Sequence, residues 1–355
     1  MHIFGCRPAI LFRRSTAFIA MSAAILAIPH NSASAAEAAF ATNALPSADP
    51  HYIVTLQTEN DVIGRTDRDY TAGIRLGFTT PNVDAAGNPY LPQFLRDAGT
   101  FVWGDGRQRL SLDISESIFT PKNTDLAVPN RKDRPYAGVM AGSAFLLHDS
   151  AHARNLLGIS AGVLGPSARA EDIQNGFHDL IGDKQALGWS HQIKDMPVVQ
   201  ILAGRTWRYG LGGAGAIEFD VLPSITGAVG TLRDYAQAGL QFRLGQGLQS
   251  DFGTTRIRPG LSGSDAYTPT RDLVWYVFAG ADGQAVGFDA TLDGNPFKSG
   301  PHVSSLPFVG EMQAGVAVIF RGVRFTYTHV VQTQEFRGQR GGLFQFGSIA
   351  ASVRF

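Results

Sequence analysis

One short stretch of this sequence gathers more oxygen-bearing side chains than a turn requires. It runs from Gln57 to Phe78 and contains Glu59-Asn60-Asp61, Asp67-Arg68-Asp69 and then Thr71. Alternating segments on either side predict a β-hairpin with these residues at its tip. Carboxylate and amide oxygens suit a hard cation such as calcium, but Asp and Asn also favour solvated turns. The residues alone leave these two interpretations equally open.

A second polar group lies in the segment 165–196, where the alternation of the neighbouring segments stops. Four apolar residues at helical spacing predict a short helix that ends at Gly182, namely Ile173, Phe177, Leu180 and Ile181. His178 lies at the edge of this stripe, close to Asp179, Asp183, Lys184 and His191. A neutral imidazole can accept a proton from water near pH 7. A lone surface histidine more often has no catalytic role, so His178 needs a partner loop to become a candidate base.

Other classes of chemistry have no motif in this sequence. It contains no G-x-S-x-G elbow, no H-E-x-x-H, no P-loop and no dinucleotide-binding fingerprint. The 30 basic and 30 acidic residues balance to a net charge of zero, so no basic surface for nucleic acid is expected.

The first 35 residues have the pattern of a secretory signal peptide. Three arginines precede the apolar segment 17–29, and Ala33-Ser34-Ala35 fits the cleavage rule. The single cysteine, Cys6, lies within these 35 residues, before the apolar segment. The mature chain is therefore expected to contain no cysteine. Residues 36–49 read as a flexible lead-in before a domain that spans 50–355.

The rest of the chain alternates apolar and polar residues in segments of strand length. Counting the ambiguous segment 272–292 as one long strand gives twelve strands, an even number that places both termini on the periplasmic side. The sequence therefore predicts an all-β transmembrane antiparallel barrel with a short helix in an extracellular loop. The glycine-rich Gly210–Gly215 is expected to be a periplasmic turn, and 226–233 an extracellular loop. Loops 81–107 and 244–271 are longer than periplasmic turns usually are.

The last strand ends on Phe355 with one apolar face. A terminal alternating strand that closes on phenylalanine resembles the signal by which the barrel assembly machinery binds outer-membrane barrels. The alternative is an ordinary last strand that happens to end in phenylalanine. Together with the signal peptide, the pattern favours the bacterial outer membrane.

Several motifs together resemble the LpxR-like family of outer-membrane lipid A deacylases, over essentially the whole mature chain. They are Glu59-Asn60-Asp61, Asp67 to Gly73, Asp133-Arg-Pro-Tyr-Ala-Gly138, Gln174 to His178 with Gly188-Trp189, and Leu292-Asp-Gly-Asn295. The resemblance implies a twelve-stranded barrel that binds lipid A, the membrane anchor of lipopolysaccharide. It also implies calcium-dependent hydrolysis of the ester-linked acyloxyacyl chain at the 3-position.

The resemblance also assigns roles to individual residues. The implied catalytic residues are His178, Asn60, Asp61 and Thr71. The implied calcium ligands are Asp61, Glu59 and Asp183, and a family lysine maps near Lys122. Arg68 and Lys122 are candidates to bind substrate phosphates, although both can equally be ordinary rim charges. One departure stands out: the family carries a glutamate six residues after the histidine, and this chain has Lys184.

Three functions therefore remain open on the sequence. The leading one is a lipid A deacylase that acts in the outer leaflet. A second is an outer-membrane hydrolase of phospholipid acyl chains, and a third is a non-catalytic barrel that serves as a porin or a surface binding protein. The lysine at position 184 is the main reason to keep the third.

Overall fold

Twelve long strands dominate the computed structural model, which describes residues 45, 47–61, 69–84, 87–257 and 264–355. The strands are β1 (Ile53–Asn60), β2 (Asp69–Thr79), β3 (Arg107–Thr120), β4 (Ala137–Asp149), β5 (Ala153–Leu164), β6 (Met196–Trp207), β7 (Ile217–Gly230), β8 (Arg233–Gln246), β9 (Leu273–Asp289), β10 (Phe308–Phe320), β11 (Val323–Gln332) and β12 (Phe344–Arg354). The predicted signal peptide, most of the predicted lead-in, and Asp67 and Arg68 of the hairpin tip lie outside the described residues.

Each long strand pairs antiparallel with the next, and β12 returns to pair with β1 from Ile53↔Arg354 to Asn60↔Gly347. The sheet is therefore a closed barrel, as the sequence predicted. Closure leaves no sheet edge, which is the condition for strands to cross lipid. The ambiguous segment is one strand, β9, so the even strand count is confirmed.

Two predictions about connections were wrong. Tyr209–Ala214 is a strand that continues β6 along β7, and the turn follows at Gly215, whose φ is 61°. Glycine adopts this left-handed conformation without steric cost. At the opposite end, β7 runs to Gly230, so the expected loop 226–233 is only a tight turn before β8. The register between neighbouring strands extends further than the alternation alone revealed.

Within the described residues, three α-helices interrupt the strand pattern: α1 (Gln93–Trp103), α2 (Ala170–Ile181) and α3 (Ala290–Asp293). The helix predicted in segment 165–196 is confirmed as α2, and it ends at Gly182 with φ 73°. The helix α1 was not predicted; it occupies the long connection between β2 and β3. Within the described residues, none of the helices is both long and apolar enough to span a bilayer.

Alternation along the strands separates a lipid-facing surface from a polar interior. On β1, Thr55, Gln57 and Glu59 are buried, whereas Leu56 between them is 54 % exposed. On β2, every second residue from Ile74 to Phe78 is exposed and apolar. Because successive side chains point to opposite faces of a strand, the exposed set faces lipid and the buried polar set faces the lumen.

The long loop between β8 and β9 folds into the lumen. Its Asp265 accepts two hydrogen bonds from Arg75 of β2, at 2.8 and 2.7 Å, and the backbone oxygen of Thr255 accepts one from Gln57 at 2.9 Å. Arg256 of the loop pairs with Glu311 on β10. The described part of this loop therefore acts as a plug, and a cavity of about 300 Å³ remains beside it.

The seam between the first and last strands is held by one buried carboxylate. Asp49 is fully buried and accepts hydrogen bonds from Arg354 at 2.8 and 2.7 Å and from the ring of His51 at 2.8 Å. Its backbone also pairs with Asn82. Burial alone would raise the pKa of Asp49, but the bonds from Arg354 and His51 outweigh it and hold that pKa below its usual value. Asp49, at the end of the expected lead-in, is thus bonded to the barrel.

Replacing this carboxylate should weaken the seam. We expect Asp49→Asn to lower the free energy of unfolding by about 1 to 3 kcal/mol at pH 7, because hydrogen bonds to a charged partner are lost. The pKa of Asp49 is lower in the folded state than in the unfolded state, where it is about 3.9. Its charge therefore stabilises the fold above about pH 3.9, and this stabilisation is lost as the pH falls through the lower, folded-state pKa. Urea unfolding at pH 7 and pH 3 measures the difference, which should shrink at pH 3. A constant difference would contradict the ionic origin.

Candidate active site on the outer face of the barrel

The tip of the β1–β2 hairpin places neighbouring residues on opposite sides of the wall. Glu59 points into the lumen, where Tyr70 donates to one carboxylate oxygen and the Ile257 amide of the plug donates to the other, both at 2.9 Å. Asn60 follows Glu59 in the strand and therefore belongs to the outward face. The expectation that Glu59 shares a cation site with the outward residues is not supported, since its oxygens are engaged inside.

Thr71 owes its position to a β-bulge. The register between β2 and β3 shifts between Tyr70 and Ala72, which leaves Thr71 as the extra residue. Its hydroxyl lies 2.7 Å from the hydroxyl of Thr120, and Asp61 donates its backbone N–H to the Thr71 carbonyl at 3.2 Å. The bulge allows Tyr70 to pack inward on Phe119 while Ala72 packs outward. Thr71 and Asp61 are thus brought together.

The register across the outer wall forms one row of four residues. Asn60 pairs with Ala72, Ala72 with Ile118, and Ile118 with Gly138. The helix α2 begins on this row, because a Cβ on Gly138 would lie 2.4 Å from the Cβ of Ala170. Glycine at position 138 therefore lets the helix approach the wall.

A compact apolar cluster fixes the loop that carries α2 against this wall. Ala170, Ala186 and Trp189 pack with Ile118 and Tyr136, and Ala72 packs against them. The rings of Tyr136 and Trp189 lie 4.8 Å apart, and Trp189 donates its indole N–H to Gln174 at 2.9 Å. Burial raises the pKa of Tyr136 to about 12, so its phenol stays neutral.

His178 is oriented by a main-chain group. Its Nδ1 lies 2.5 Å from the carbonyl oxygen of Lys184. A carbonyl only accepts hydrogen bonds, so Nδ1 carries the proton, and in the neutral ring Nε2 is then the basic nitrogen. The turn at Gly182 presents this carbonyl, while the Lys184 ammonium lies 3.8 Å from Asp125 at the surface. The residue type at position 184 therefore does not decide how the imidazole is held.

The remaining predicted site residues are spread around the rim. Lys122 is exposed, and its backbone N–H bonds to Asp133 at 3.1 Å. Asp183 is exposed and accepts the Lys184 N–H at 2.7 Å. Among the residues that the structure describes, no three His, Cys, Asp or Glu side chains lie where they could hold one metal ion together. The calcium site stays a prediction.

Other motif residues support the loops. Arg134 of the 133–138 motif is fully buried and donates to Glu335 at 2.9 Å and to Thr291 at 3.1 Å. Burial lowers the pKa of Arg134, against the opposing effect of Asp69 and Asp289. Asp293 accepts bonds from the backbone and the hydroxyl of Ser305, at 3.0 and 2.8 Å. These residues tie three extracellular loops together rather than facing the outer wall.

One residue of this face was missed by the sequence analysis. Glu116 of β3 occupies the outward register between Ile114 and Ile118, one row below Ala72, yet it is only 4 % exposed. Within the described part of the chain, neither of its carboxylate oxygens has a hydrogen-bond partner. A carboxyl in an otherwise apolar outward row is costly, and such groups within membrane segments are functional candidates. The sequence did carry a signal for this residue, namely a carboxyl side chain in the otherwise apolar face of an alternating strand.

Comparison with known proteins assigns the family. The family model described as "Outer membrane protein LpxR" matches residues 19–355. The chain belongs to the LpxR family. LpxR from Salmonella typhimurium superposes with a TM-score of 0.70 at 21 % identity, covering 85 % of this chain and 100 % of that chain. Membership and the barrel place this chain in the bacterial outer membrane.

Two other solved barrels are similar to this chain at lower TM-scores. The β domain of the Bordetella autotransporter BrkA has a TM-score of 0.39 at 7 % identity, over 87 % of this chain and 99 % of that one. The NanC porin has a TM-score of 0.34 at 5 % identity, over 86 % and 100 %. Among curated proteins, no sequence matches this chain.

Because a main-chain carbonyl holds His178, we predict that substitutions of the side chain at position 184 leave the orientation of the imidazole unchanged. We expect Lys184→Ala to keep the Nδ1-protonated tautomer of His178, because the backbone carbonyl remains. Gly182→Ala is the matched control: a Cβ there would meet no atom within 4 Å, yet the left-handed φ costs about 1 to 2 kcal/mol and disturbs the turn. ¹⁵N NMR of the labelled imidazole distinguishes the tautomers. A changed tautomer in Lys184→Ala would show that the side chain holds the ring.

Proposed function

We propose that this chain is a lipid A deacylase that hydrolyses the ester-linked acyloxyacyl chain at the 3-position in the outer leaflet. The observation that carries the proposal is the 2.5 Å contact between His178 Nδ1 and the Lys184 carbonyl, which leaves Nε2 as the basic nitrogen of the ring. The family resemblance supplies the substrate. The packing of α2 on the lipid-facing wall supports the proposal that the histidine acts on a membrane-embedded ester.

The surface around His178 suits a lipid substrate. On α2, Phe177 is 53 % exposed and Leu180 81 % exposed, and both belong to the stripe predicted from the sequence. Apolar side chains on the same face as the outward strands extend the lipid-facing surface over the rim. An acyl chain can therefore stay in an apolar environment while its ester reaches the histidine.

The reaction proposed for these residues is general-base hydrolysis. Nε2 of His178 removes a proton from water as its oxygen attacks the ester carbonyl carbon. The tetrahedral intermediate then collapses, the bond to the sugar 3-oxygen breaks, and the protonated imidazole returns the proton to that oxygen. The products are a fatty acid and lipid A with a free 3-hydroxyl. The imidazole is neutral again at the end.

The hairpin tip is proposed to stabilise the negative charge that develops on the carbonyl oxygen. The side-chain amide of Asn60 would donate to the oxyanion, and one such donor is worth about 100- to 1000-fold in rate. Thr71 and Asp61 are proposed to position the tip, which is supported by the bond from the Asp61 amide to the Thr71 carbonyl. Arg68 and Lys122 are proposed to bind the phosphates of lipid A.

Two partners complete the proposal. Bound calcium would add positive charge near the developing oxyanion, with Asp61 and Asp183 as the proposed ligands. The described residues alone form no cluster of three ligands for such an ion. The terminal Phe355, which is 60 % exposed, is the proposed signal for the barrel assembly machinery.

The porin alternative is disfavoured by the plug. A porin needs an open lumen, whereas here the plug bonds to β2 through Arg75–Asp265 and to β10 through Arg256–Glu311. A phospholipid acyl hydrolase would use the same histidine and the same wall. Only the substrate therefore separates it from the leading proposal, and assays on both lipids are needed.

Removing the proposed base gives the direct test. We expect His178→Ala to reduce lipid A deacylation by about 100-fold or more, as for the loss of a general base. His191→Ala is the matched control, because His191 is an exposed histidine in the same loop. Mass spectrometry of lipid A from cells that express each variant gives the readout, and heat modifiability on gels confirms folding. Purified protein with added calcium or a chelator, on lipid A and on phosphatidylethanolamine, tests the ion and the substrate.

Two results would overturn the proposal. Full activity in His178→Ala would remove the histidine from the mechanism. Unchanged acylation in cells with folded wild-type protein would favour a non-catalytic barrel. Activity that persists after chelation would remove only calcium.

Glu116 is proposed to contact the acyl chain of the substrate. A lipid with a hydroxyl or amide group on its acyl chain would supply the hydrogen bond that Glu116 lacks within the described residues. We therefore expect Glu116→Leu to raise the free energy of unfolding by about 1 to 3 kcal/mol, because an unsatisfied polar group is removed, and to lower deacylation. Glu116→Gln keeps hydrogen bonding and should retain more activity. Lower stability in the leucine variant would contradict this assignment.

A further inference from the structure

The helix α1 lies against the outside of the barrel at its periplasmic end. It belongs to the connection between β2 and β3, at the same end as the β1–β12 termini. Leu91, Leu95 and Trp103 pack on three strand residues, Leu110, Leu146 and Leu157. Their strand neighbours Ser111, Leu147 and Leu156 line the lumen cavity. Because strand residues alternate, the three leucines under α1 belong to the outer face.

Polar contacts fix the helix in this position. Asn88 donates to the Gln108 carbonyl at 2.9 Å, and Arg96 donates to the Asn88 carbonyl at 2.6 Å. His148 Nε2 lies 3.1 Å from the Gly104 carbonyl at the end of the helix, and its ring lies 5.5 Å from that of Trp103. Gly99 allows close approach, since a Cβ there would lie 2.5 Å from the Gln108 side chain. The helix is therefore part of the folded wall.

A second apolar sector of α1 has no protein to cover it among the described residues. Phe101 is 90 % exposed, Phe94 69 % and Val102 40 %. At about 100° per residue these side chains share one side of the helix, next to the sector that packs on the wall. Arg96, Asp97 and Thr100 occupy the remaining side. The helix thus has three sectors: one on the barrel, one apolar and exposed, and one polar.

The exposed sector continues the lipid-facing surface of the barrel. On β3, beyond Leu110, the outward residues Leu112 and Ile114 are 41 % and 55 % exposed. Tyr90, shortly before the helix, packs at 5.7 Å on Tyr52, whose ring also stacks on Phe78 and Phe355. Aromatic clusters of this kind mark the membrane interface of outer-membrane barrels. The helix therefore lies at the depth of the periplasmic interface.

We propose that α1 is an interfacial helix whose Phe94, Phe101 and Val102 insert into the periplasmic leaflet of the outer membrane. The partner is the acyl region of the phospholipid, because the exposed sector adjoins the lipid-facing wall while the polar sector turns towards water. This membrane contact is distinct from the α2 face on the other leaflet. It does not depend on the catalytic proposal.

Cysteine labelling tests this contact in the full mature chain. The only cysteine of the sequence is Cys6, so Phe101→Cys and Asp97→Cys each give a single labelling site once the signal is removed. Each variant is labelled with an environment-sensitive fluorophore and reconstituted in phosphatidylethanolamine and phosphatidylglycerol vesicles. Asp97, one turn away on the polar sector, is the matched control. Heat modifiability confirms that both variants are folded.

The expected result is a blue-shifted label at position 101 that is quenched by lipids brominated in the acyl chain. Aqueous iodide should quench it at least fivefold less than the label at position 97. Equal quenching by iodide at both positions would place this sector in water and overturn the proposal. Protection of position 101 from both quenchers would also overturn it, because a protein contact would then cover the sector.

Discussion

A strand that crosses lipid must have every backbone N–H and C=O paired, and this constraint organises the whole molecule. Because of this constraint, β12 returns to pair with β1, and the Asp49–Arg354 contact stabilises the seam between these two strands. It also fixes the two-residue alternation that turns one face of each strand to lipid and the other to the lumen. Every functional side chain on the wall inherits its direction from this closure.

The same alternation divides the chemistry of the barrel. Arginines and carboxylates such as Arg75 and Asp265 meet in the lumen, where they hold the plug. Asn60 and the first residue of α2 lie on the other side of the wall, where the candidate site is proposed. Glu59 and Asn60 are adjacent in sequence, but they serve these two different regions. A site on the outer face suits a substrate that reaches the protein through the membrane.

Much of this architecture could be predicted from the sequence, because alternation and strand parity are local signals. The barrel, the single long strand β9 and the helix ending at Gly182 follow from such patterns. The bulge at Thr71 could not be predicted, since it depends on the register of β2 against β3. Nor could the bond from His178 to the Lys184 carbonyl, because it uses a main-chain atom that no residue type reveals. The plug and α1 showed only as loops of unusual length.

The plug also joins parts of the chain that lie far apart in the sequence. The loop between β8 and β9 contacts Gln57 and Arg75 near the start of the chain and Glu311 near its end. The loop can enter a closed barrel only through an open end, because the wall is continuous. Either the loop enters through the periplasmic end, where it begins, or the seam closes around it; in both cases the Arg75–Asp265 pair then joins β2 to the loop from within.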